Sequence, residues 1–445
     1  MSRTVAVVGA GAAGLTAALR AAEAGASVTL LNAHPRIGLK ILMSGGTRCN
    51  VTHREVDERD FSGGSRAFVR RVLRAFSAEQ ARAWLESLGV GLKLEDTGKY
   101  FPVTDNAQSV LDALMGAVER AGVSVVAGAR VVRIEVGEGS QESARFRLGI
   151  QRIRESAAFA SSVSRYALEQ WPLPAVEPEE WIDADAVILA TGGLSFPRTG
   201  SDGTGYALAT ALGHTLEPPV PALTPLAAED PLCTTAQGLT LEAELSLWLE
   251  GRRELTIQGS LLIAHFGYSG PAALDLSRHW LRAEGRKGRA VTASFLPGER
   301  QETLRGRWVA AAAAEPKLSV RRFLDRSIPD RLVGVLCAEA EVDPSRALGQ
   351  VERVRREAMI DRLVARPLPI TGTLGYEKAE VTAGGVRLDE VDPSTLESRK
   401  VPGLYLCGEI LDVDGRLGGF NFQWSWSSGT VAGRAAGEVV SFASH

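Results

Sequence analysis

Little in this sequence points to a membrane, to nucleic acid or to an oxidising compartment. No uninterrupted run of about 18 apolar residues exists, so no transmembrane span is expected. After Met1-Ser2-Arg3 the chain passes straight into an apolar run, which leaves no room for the charged and apolar regions of a signal peptide. Only four cysteines occur (Cys49, Cys233, Cys337 and Cys407), far apart and with no C-x-x-C. That pattern argues against a disulfide framework, a zinc site and a dithiol redox motif; no metal is expected, and a cytoplasmic location fits. Neither sign of charge dominates: 50 Lys and Arg against 53 Asp and Glu give a net charge of −3 and a pI near 6.2. The basic footprint of a nucleic-acid binder is absent, so neither nucleic acid nor a membrane is an expected partner.

Glycine is what the chain has in excess, 47 residues, grouped in clusters of fixed spacing. At 445 residues it exceeds what one hydrophobic core usually organises, so two or three domains are expected. The first cluster is the most informative. Thr4 to Val8 is short, apolar and β-branched, as suits a strand buried on both faces of a parallel sheet. Gly9-Ala10-Gly11-Ala12-Ala13-Gly14 follows at once, then an alanine-rich helical segment to about Ala24 and a second strand over Ser27 to Leu31. A G-x-G-x-x-G in this strand–helix–strand setting is a dinucleotide fingerprint. Gly9 permits the tight turn, Gly11 lets the backbone approach a pyrophosphate, and Gly14 lets helix and strand pack. The helix N-terminus, at Ala12 and Ala13, offers N–H groups and partial positive charge to the phosphates. One departure is Asn32, which stands where an acidic residue ordinarily holds the adenosine ribose. A neutral hydrogen bond contributes roughly 1 kcal/mol against roughly 1.5–3 kcal/mol for a charged one.

Further segments carry the reading from a dinucleotide to a flavin. Arg36 and Lys40 lead into Ser44-Gly45-Gly46-Thr47-Arg48-Cys49-Asn50, whose glycines, hydroxyls, cation and amide suit a loop lining phosphate and isoalloxazine. Ala186–Gly193 is an apolar strand ending in Thr191-Gly192-Gly193. Gly403–Glu409 is another, ending in Gly408-Glu409 and continuing through Asp414 to Gly418-Gly419-Phe420-Asn421 and a helix-like run, Gln423 to Val440. An acid after such a strand can bond ribityl or ribose hydroxyls. A glycine turn into a helix aims N–H groups at the flavin pyrimidine, where negative charge builds on reduction.

These stretches resemble the glutathione-reductase-like flavoproteins. In detail, Ser44–Thr52, Thr191–Gly205, His265–Ser277, Val381–Val386 and Gly408–Gly429 are similar to the BaiN/YhiN-type family, which takes in bacterial dehydro-bile-acid reductases and aminoacetone oxidases. The departures are Asn32 for the usual Glu, Leu39 for Arg, Thr47 for a third glycine and His53 for Asn. Motifs and resemblance together imply FAD on Gly9, Gly11, Ala12, Ala13, Gly14, Asn32, Arg36, Lys40, Ser44, Gly45, Arg48, Asn50, Val132, Thr191, Gly192, Gly193, Gly408, Glu409, Asp414, Gly418, Gly419, Phe420 and Asn421.

The expected fold class is α/β. A discontinuous Rossmann-type FAD-binding domain (1–205 and 381–445) surrounds a β-barrel-like substrate domain (206–299 and 367–380) and a helical insert (300–366). Helical spacing covers Leu304–Ala314, Ser319–Asp325, Asp330–Ala340 and Ser345–Val364; the insert's net charge of +4 reads as solvated helix faces. Residues 137–181 read as a surface excursion. A flavin carries its own hydride chemistry, so the protein need only bind, orient and move a proton. His265, a residue type suited to proton transfer near neutrality, and Tyr268 are the catalytic candidates. Trp424 and Trp426 read as packing groups. The expected function is FAD-dependent two-electron transfer to a small organic substrate with an activated C=C, with NAD(P)H as the electron donor. The alternatives are an amine or alcohol oxidase using O2, a flavin-binding regulatory protein, and an RNA-modifying enzyme, which the charge disfavours.

Overall fold

The computed structural model describes residues 2–137, 145–153, 176–325 and 327–438. Most of the surface excursion expected within 137–181 lies outside the described residues. The chain forms two compact units, one of residues 1–221 and 380–445, the other of residues 222–379.

The first unit is built on a parallel sheet of five strands: β1 (Thr4–Val8), β2 (Ser27–Asn32), β3 (Ser124–Ala127), β4 (Ala186–Leu189) and β5 (Leu404–Leu406). Their spatial order is β5-β4-β1-β2-β3, and every pairing is parallel. Val5–Val8 and all of β4 are buried, which explains why these runs are apolar rather than alternating. Parallel neighbours need a crossover, and α1 (Ala12–Glu23) supplies it between β1 and β2. Strand β5 returns from the far end of the chain to complete the sheet beside β4.

The last helix, α2 (Phe420–Gly437), packs on α1 backbone to backbone. Gly429, Gly433 and Gly437 recur every fourth residue on one face. A Cβ at these positions would lie 2.5, 2.4 and 2.6 Å from the carbonyl oxygens of Ala13, Ala17 and Ala21. Any side chain there would force the two helices apart. The C-terminal segment is thereby locked onto the fingerprint helix itself.

The second unit is a seven-stranded antiparallel sheet. Its spatial order is Arg366–Leu368, Ala290–Ser294, Thr240–Leu249, Arg252–Ala264, Gly267–Ser269, Leu226–Ala228, Ile370–Thr373. The two outermost strands, Arg366–Leu368 and Ile370–Thr373, are separated in sequence by Pro369 alone. One residue spans at most about 3.6 Å, so the sheet curls until its edges meet, giving the barrel-like form expected. The helices Gln301–Ala314, Val320–Leu324, Asp330–Glu339 and Arg353–Val364 share its core: Trp308, Leu324, Leu336 and Met359 are buried in one cluster with Leu245, Leu247 and Val291. The helix expected over 345–364 begins eight residues later. Asp343 accepts hydrogen bonds from the Ser345 N–H (2.8 Å) and hydroxyl (2.7 Å), a local turn that competes with helix, and Leu348–Gln350 makes only a 3₁₀ turn.

Candidate active site

The phosphate turn is assembled from backbone and from space. Gly9 has φ +105°, and a Cβ on it would stand 2.4 Å from the Ala190 carbonyl oxygen at the end of β4. At Gly14 a Cβ would stand 1.7 Å from the Gly9 oxygen. At Gly11 it would meet nothing within 4 Å. Two of the three glycines are therefore demanded by packing, while the middle one borders open room in front of the first N–H groups of α1. Among the described residues no side chain caps that helix end. A pyrophosphate fits both observations: an empty approach, and donors with positive potential facing it. Gly408, with φ +77°, brings the segment after β5 against the same helix start; a Cβ on it would be 2.7 Å from the Ala13 side chain.

A second helix start, that of α2, forms the other end. Gly418 and Gly419 have φ of +136° and +92°, and a Cβ on Gly419 would lie 2.7 Å from Asn50 Oδ1 and 2.8 Å from the Thr52 carbonyl oxygen. Asn50 is buried and its Oδ1 has no hydrogen-bond partner among the described residues. An unmet buried acceptor costs about 1–3 kcal/mol. An imide N–H such as the one on the flavin pyrimidine would satisfy it, and the adjacent helix N-terminus suits the neighbouring carbonyl. The pocket wall is held firmly. Asn421 clamps Gly415, accepting its N–H at 2.8 Å and donating to its carbonyl at 2.9 Å. Phe420 is fully buried, stacked on His53 at 4.9 Å, with the Arg416 guanidinium 4.2 Å from its centre. Trp424 and Trp426 do more than pack: their indole N–H groups donate to the Gly408 carbonyl (3.1 Å) and the Val51 carbonyl (2.8 Å).

Between these ends, Glu409 collects donors. Its Oε1 accepts from the Ser195 hydroxyl (2.7 Å) and the Thr382 N–H (2.9 Å), and its Oε2 from Lys40 Nζ (2.8 Å). Lys40 also donates to Ser195 Oγ at 2.8 Å, and Thr382 Oγ1 accepts the N–H groups of Leu194 (2.8 Å) and Ser195 (3.1 Å). This cluster ties the segments that follow β4 and β5 together. Thr382, from the Val381–Val386 stretch, sits at its centre. A Cβ on Gly193 would be 2.5 Å from Thr382 Oγ1, and Gly192 has φ +73°.

Of the other expected residues, Arg48, Ser44 and Asn32 already have partners within the protein. Arg48 donates to Glu95 at 2.7 Å and lies over the Phe101 ring at 4.0 Å. The Ser44 hydroxyl donates to the Ile41 carbonyl, and the Arg36 side chain is exposed. Asn32 accepts the Ala10 N–H. Val132 sits where the ladder between Ala129–Val136 and Phe146–Arg152 slips by one residue, a bulge that leaves its backbone out of register. The loop after Ser44 is strained: Gly45 and Gly46 have positive φ, and so do Thr47 (+70°) and Cys49 (+60°). Cys49 is sealed in, and burial pushes its thiol up to about 12, so it is no nucleophile.

The two catalytic candidates belong to the second unit and differ sharply. His265 is exposed in the turn between Arg252–Ala264 and Gly267–Ser269, its ring 5.1 Å from that of Phe266. Tyr268 is fully buried, its hydroxyl donating to Asp230, which also takes a bidentate pair from Arg366 at 2.6 and 2.8 Å. Arg366 continues to Glu339 at 2.7 Å. Burial and the Asp230 carboxylate both push the phenol far above its usual range. A phenol so placed is a structural donor, not a proton source for substrate. Among the described residues, no group of three or more His, Cys, Asp or Glu is placed to hold a metal ion.

A parallel sheet, a glycine turn opening on space and a second helix start beside an unmet acceptor define the class: an FAD-dependent oxidoreductase. The chain belongs to the family described as the HI0933-like protein Rossmann domain, whose model matches residues 3–161 and 150–435. It is 34% identical over 439 residues to a 3-dehydro-bile acid delta(4,6)-reductase of Clostridium scindens, covering 98% of this chain and 99% of the relative. It is 31% identical over 422 residues to a ribosomal RNA dihydrouridine synthase of Escherichia coli, covering 95% of each. A solved 3-ketosteroid delta1-dehydrogenase of Sterolibacterium denitrificans shares the fold at a TM-score of 0.50 and 12% identity, covering 98% of this chain and 100% of the other. No helix among the described residues is long and apolar enough to cross a membrane.

Proposed function

We propose that this oxidoreductase reduces a C=C bond conjugated to a carbonyl, on a small organic substrate in the cytoplasm, with electrons from NAD(P)H. The single observation that carries the reading is the pair of full-length relatives named for such chemistry. A dehydro-bile acid delta-reductase saturates an unsaturated steroid, and dihydrouridine is uridine saturated at the C5=C6 bond beside its C4 carbonyl. Bound and reduced, FAD supplies the hydride for such a step. The open approach at Gly11 and the N–H groups of α1 hold the pyrophosphate. The start of α2 and Asn50 Oδ1 hold the pyrimidine end, where helix N–H groups favour the negative charge of the reduced ring. Glu409, fixed by Lys40, Ser195 and Thr382, keeps the segments after β4 and β5 in place beside the cofactor. The unit of residues 222–379 carries the substrate, and exposed His265 is the candidate to move its proton.

The test is anaerobic stopped-flow absorbance of the FAD-loaded protein mixed with NADPH or NADH. Bleaching near the flavin band within seconds, followed by reoxidation by a 3-keto-4-ene steroid, is expected. An inert flavin that reoxidises rapidly in air and is reduced by an amine would replace this reading with an oxidase. A second reading, reduction of a uracil base within RNA, draws on the relatives named for ribosomal RNA, of which a second, from Haemophilus influenzae, is also 31% identical over 95% of this chain. Turnover on ribosomal RNA and none on steroid enones would favour it.

A further inference from the structure

The end of β2 is where dinucleotide-binding folds place the carboxylate that holds the adenosine ribose. Here the residue is Asn32, and the structure assigns its amide other work. Oδ1 accepts the N–H of Ala10, inside the Gly9–Gly11 turn, at 3.0 Å. Nδ2 donates to two carbonyl oxygens of the following loop, that of His34 at 2.6 Å and that of Arg36 at 3.3 Å. Both amide protons and one acceptor lone pair are thus committed to backbone. Ala10 is itself buried, so without Asn32 its N–H would be left unmet. The Gly9 N–H is fixed separately, to the Leu31 carbonyl at 2.7 Å, which leaves Ala10 as the link that depends on a side chain.

The pattern of bonds requires an amide. A carboxylate could accept from Ala10 but could not donate to His34 and Arg36, and would stand against two carbonyl oxygens. A ribose-binding acid ordinarily accepts two hydroxyls through two oxygens, whereas Asn32 retains a single acceptor position. We infer that Asn32 is a positioning residue for the pyrophosphate turn, not a ribose ligand, and that this chain binds FAD without reading the adenosine 2′-hydroxyl. Holding the turn at Ala10 keeps the approach at Gly11 open and the N–H groups of α1 aimed. Affinity lost with the acid on the ribose is replaced by order in the turn. The inference concerns FAD binding alone and stands or falls apart from the proposed substrate.

Binding separates the two roles without any assay of turnover. The full chain, stripped of flavin, is titrated with FAD and with FAD carrying 2′-deoxyadenosine, and the dissociation constants are read from flavin fluorescence. For the wild type the two constants should agree within about twofold. Asn32→Ala should weaken both by the same factor, about tenfold, the worth of one hydrogen bond to a buried N–H. A wild type that binds the deoxy analogue several-fold more weakly, with the difference abolished in Asn32→Ala, would show a ribose ligand and overturn the inference. Unchanged FAD affinity in Asn32→Ala would overturn it too. The wild-type comparison needs no variant, so a failure of Asn32→Ala to fold leaves the claim open to refutation.

Discussion

The glycine turn of the first unit and the Asp230 cluster of the second bury polar groups in opposite ways. In the turn the polar groups are backbone N–H, space is left at Gly11, and close packing is confined to Gly9 and Gly14. In the cluster the polar groups are side chains, and Asp230, Arg366, Glu339 and Tyr268 close on one another. A polar site built to receive a ligand keeps room and unmet groups. One built to hold a fold is saturated, and that difference separates Tyr268 from a catalytic role more clearly than its residue type does.

The contrast breaks most visibly at the glycines. Gly14→Ala places a methyl 1.7 Å from the Gly9 oxygen and should prevent folding, read as loss of soluble protein or of a cooperative unfolding transition. Gly11→Ala, with nothing within 4 Å, should leave the stability of the flavin-free protein within about 1 kcal/mol of wild type, near the ordinary glycine-to-alanine range, yet abolish tight FAD binding. Equal damage from both substitutions would mean that the room at Gly11 is not a ligand's.

In the second unit, Asp230→Ala removes the bidentate partner of the buried Arg366 guanidinium, leaving it Glu339 alone, and takes the acceptor from the Tyr268 hydroxyl; it should cost about 3 kcal/mol in urea unfolding. FAD affinity should change little, because the cluster lies wholly within residues 222–379. A smaller effect follows from acid. Burial first, and Arg278 second, lower His279 from 6.5 to about 4, and burial likewise lowers His214 against the pull of Glu390. Each is neutral in the fold and takes up a proton on unfolding once pH is below 6.5. Stability is therefore full above about pH 6.5 and declines as pH falls toward 4, by roughly 2 kcal/mol for His279 after allowance for partial exposure. His279→Gln should flatten that slope in denaturant titrations. The smallest change sharpens the comparison from the turn's side. Thr47 holds φ +70°, a left-handed conformation costly for a β-branched residue, so Thr47→Gly should stabilise the protein by about 1 kcal/mol by thermal melt.

Much of the cofactor site could be read along the chain, because its parts are local. A strand, a glycine turn and a helix start occupy adjacent residues at Thr4–Glu23, and Gly418–Asn421 repeats the device. Partnerships across the chain could not. Asn32 reads as a weakened ribose ligand until Ala10 is seen to donate to it from 22 residues away. Arg48 reads as a phosphate or flavin cation until Glu95 takes its charge. Tyr268 reads as an acid until Asp230, 38 residues off, closes over it. Ser345 reads as helix because apolar spacing continues past it, while a side-chain turn from Asp343 ends the competition locally.

By itself the sequence determined four of the five strands of the parallel sheet and the two glycine-initiated helices, since turns, periodicity and glycine spacing are properties of neighbouring residues; FAD rather than another dinucleotide came from the later loops and the family resemblance they carry. Only the tertiary structure decided which polar groups remain for a ligand. That is a question of what each donor and acceptor has already met, and the partners are drawn from anywhere in the chain. The Gly429–Gly437 seam shows the same division: three glycines in a helix are a cost on paper, and they become the condition for close helix packing once Ala13, Ala17 and Ala21 lie opposite.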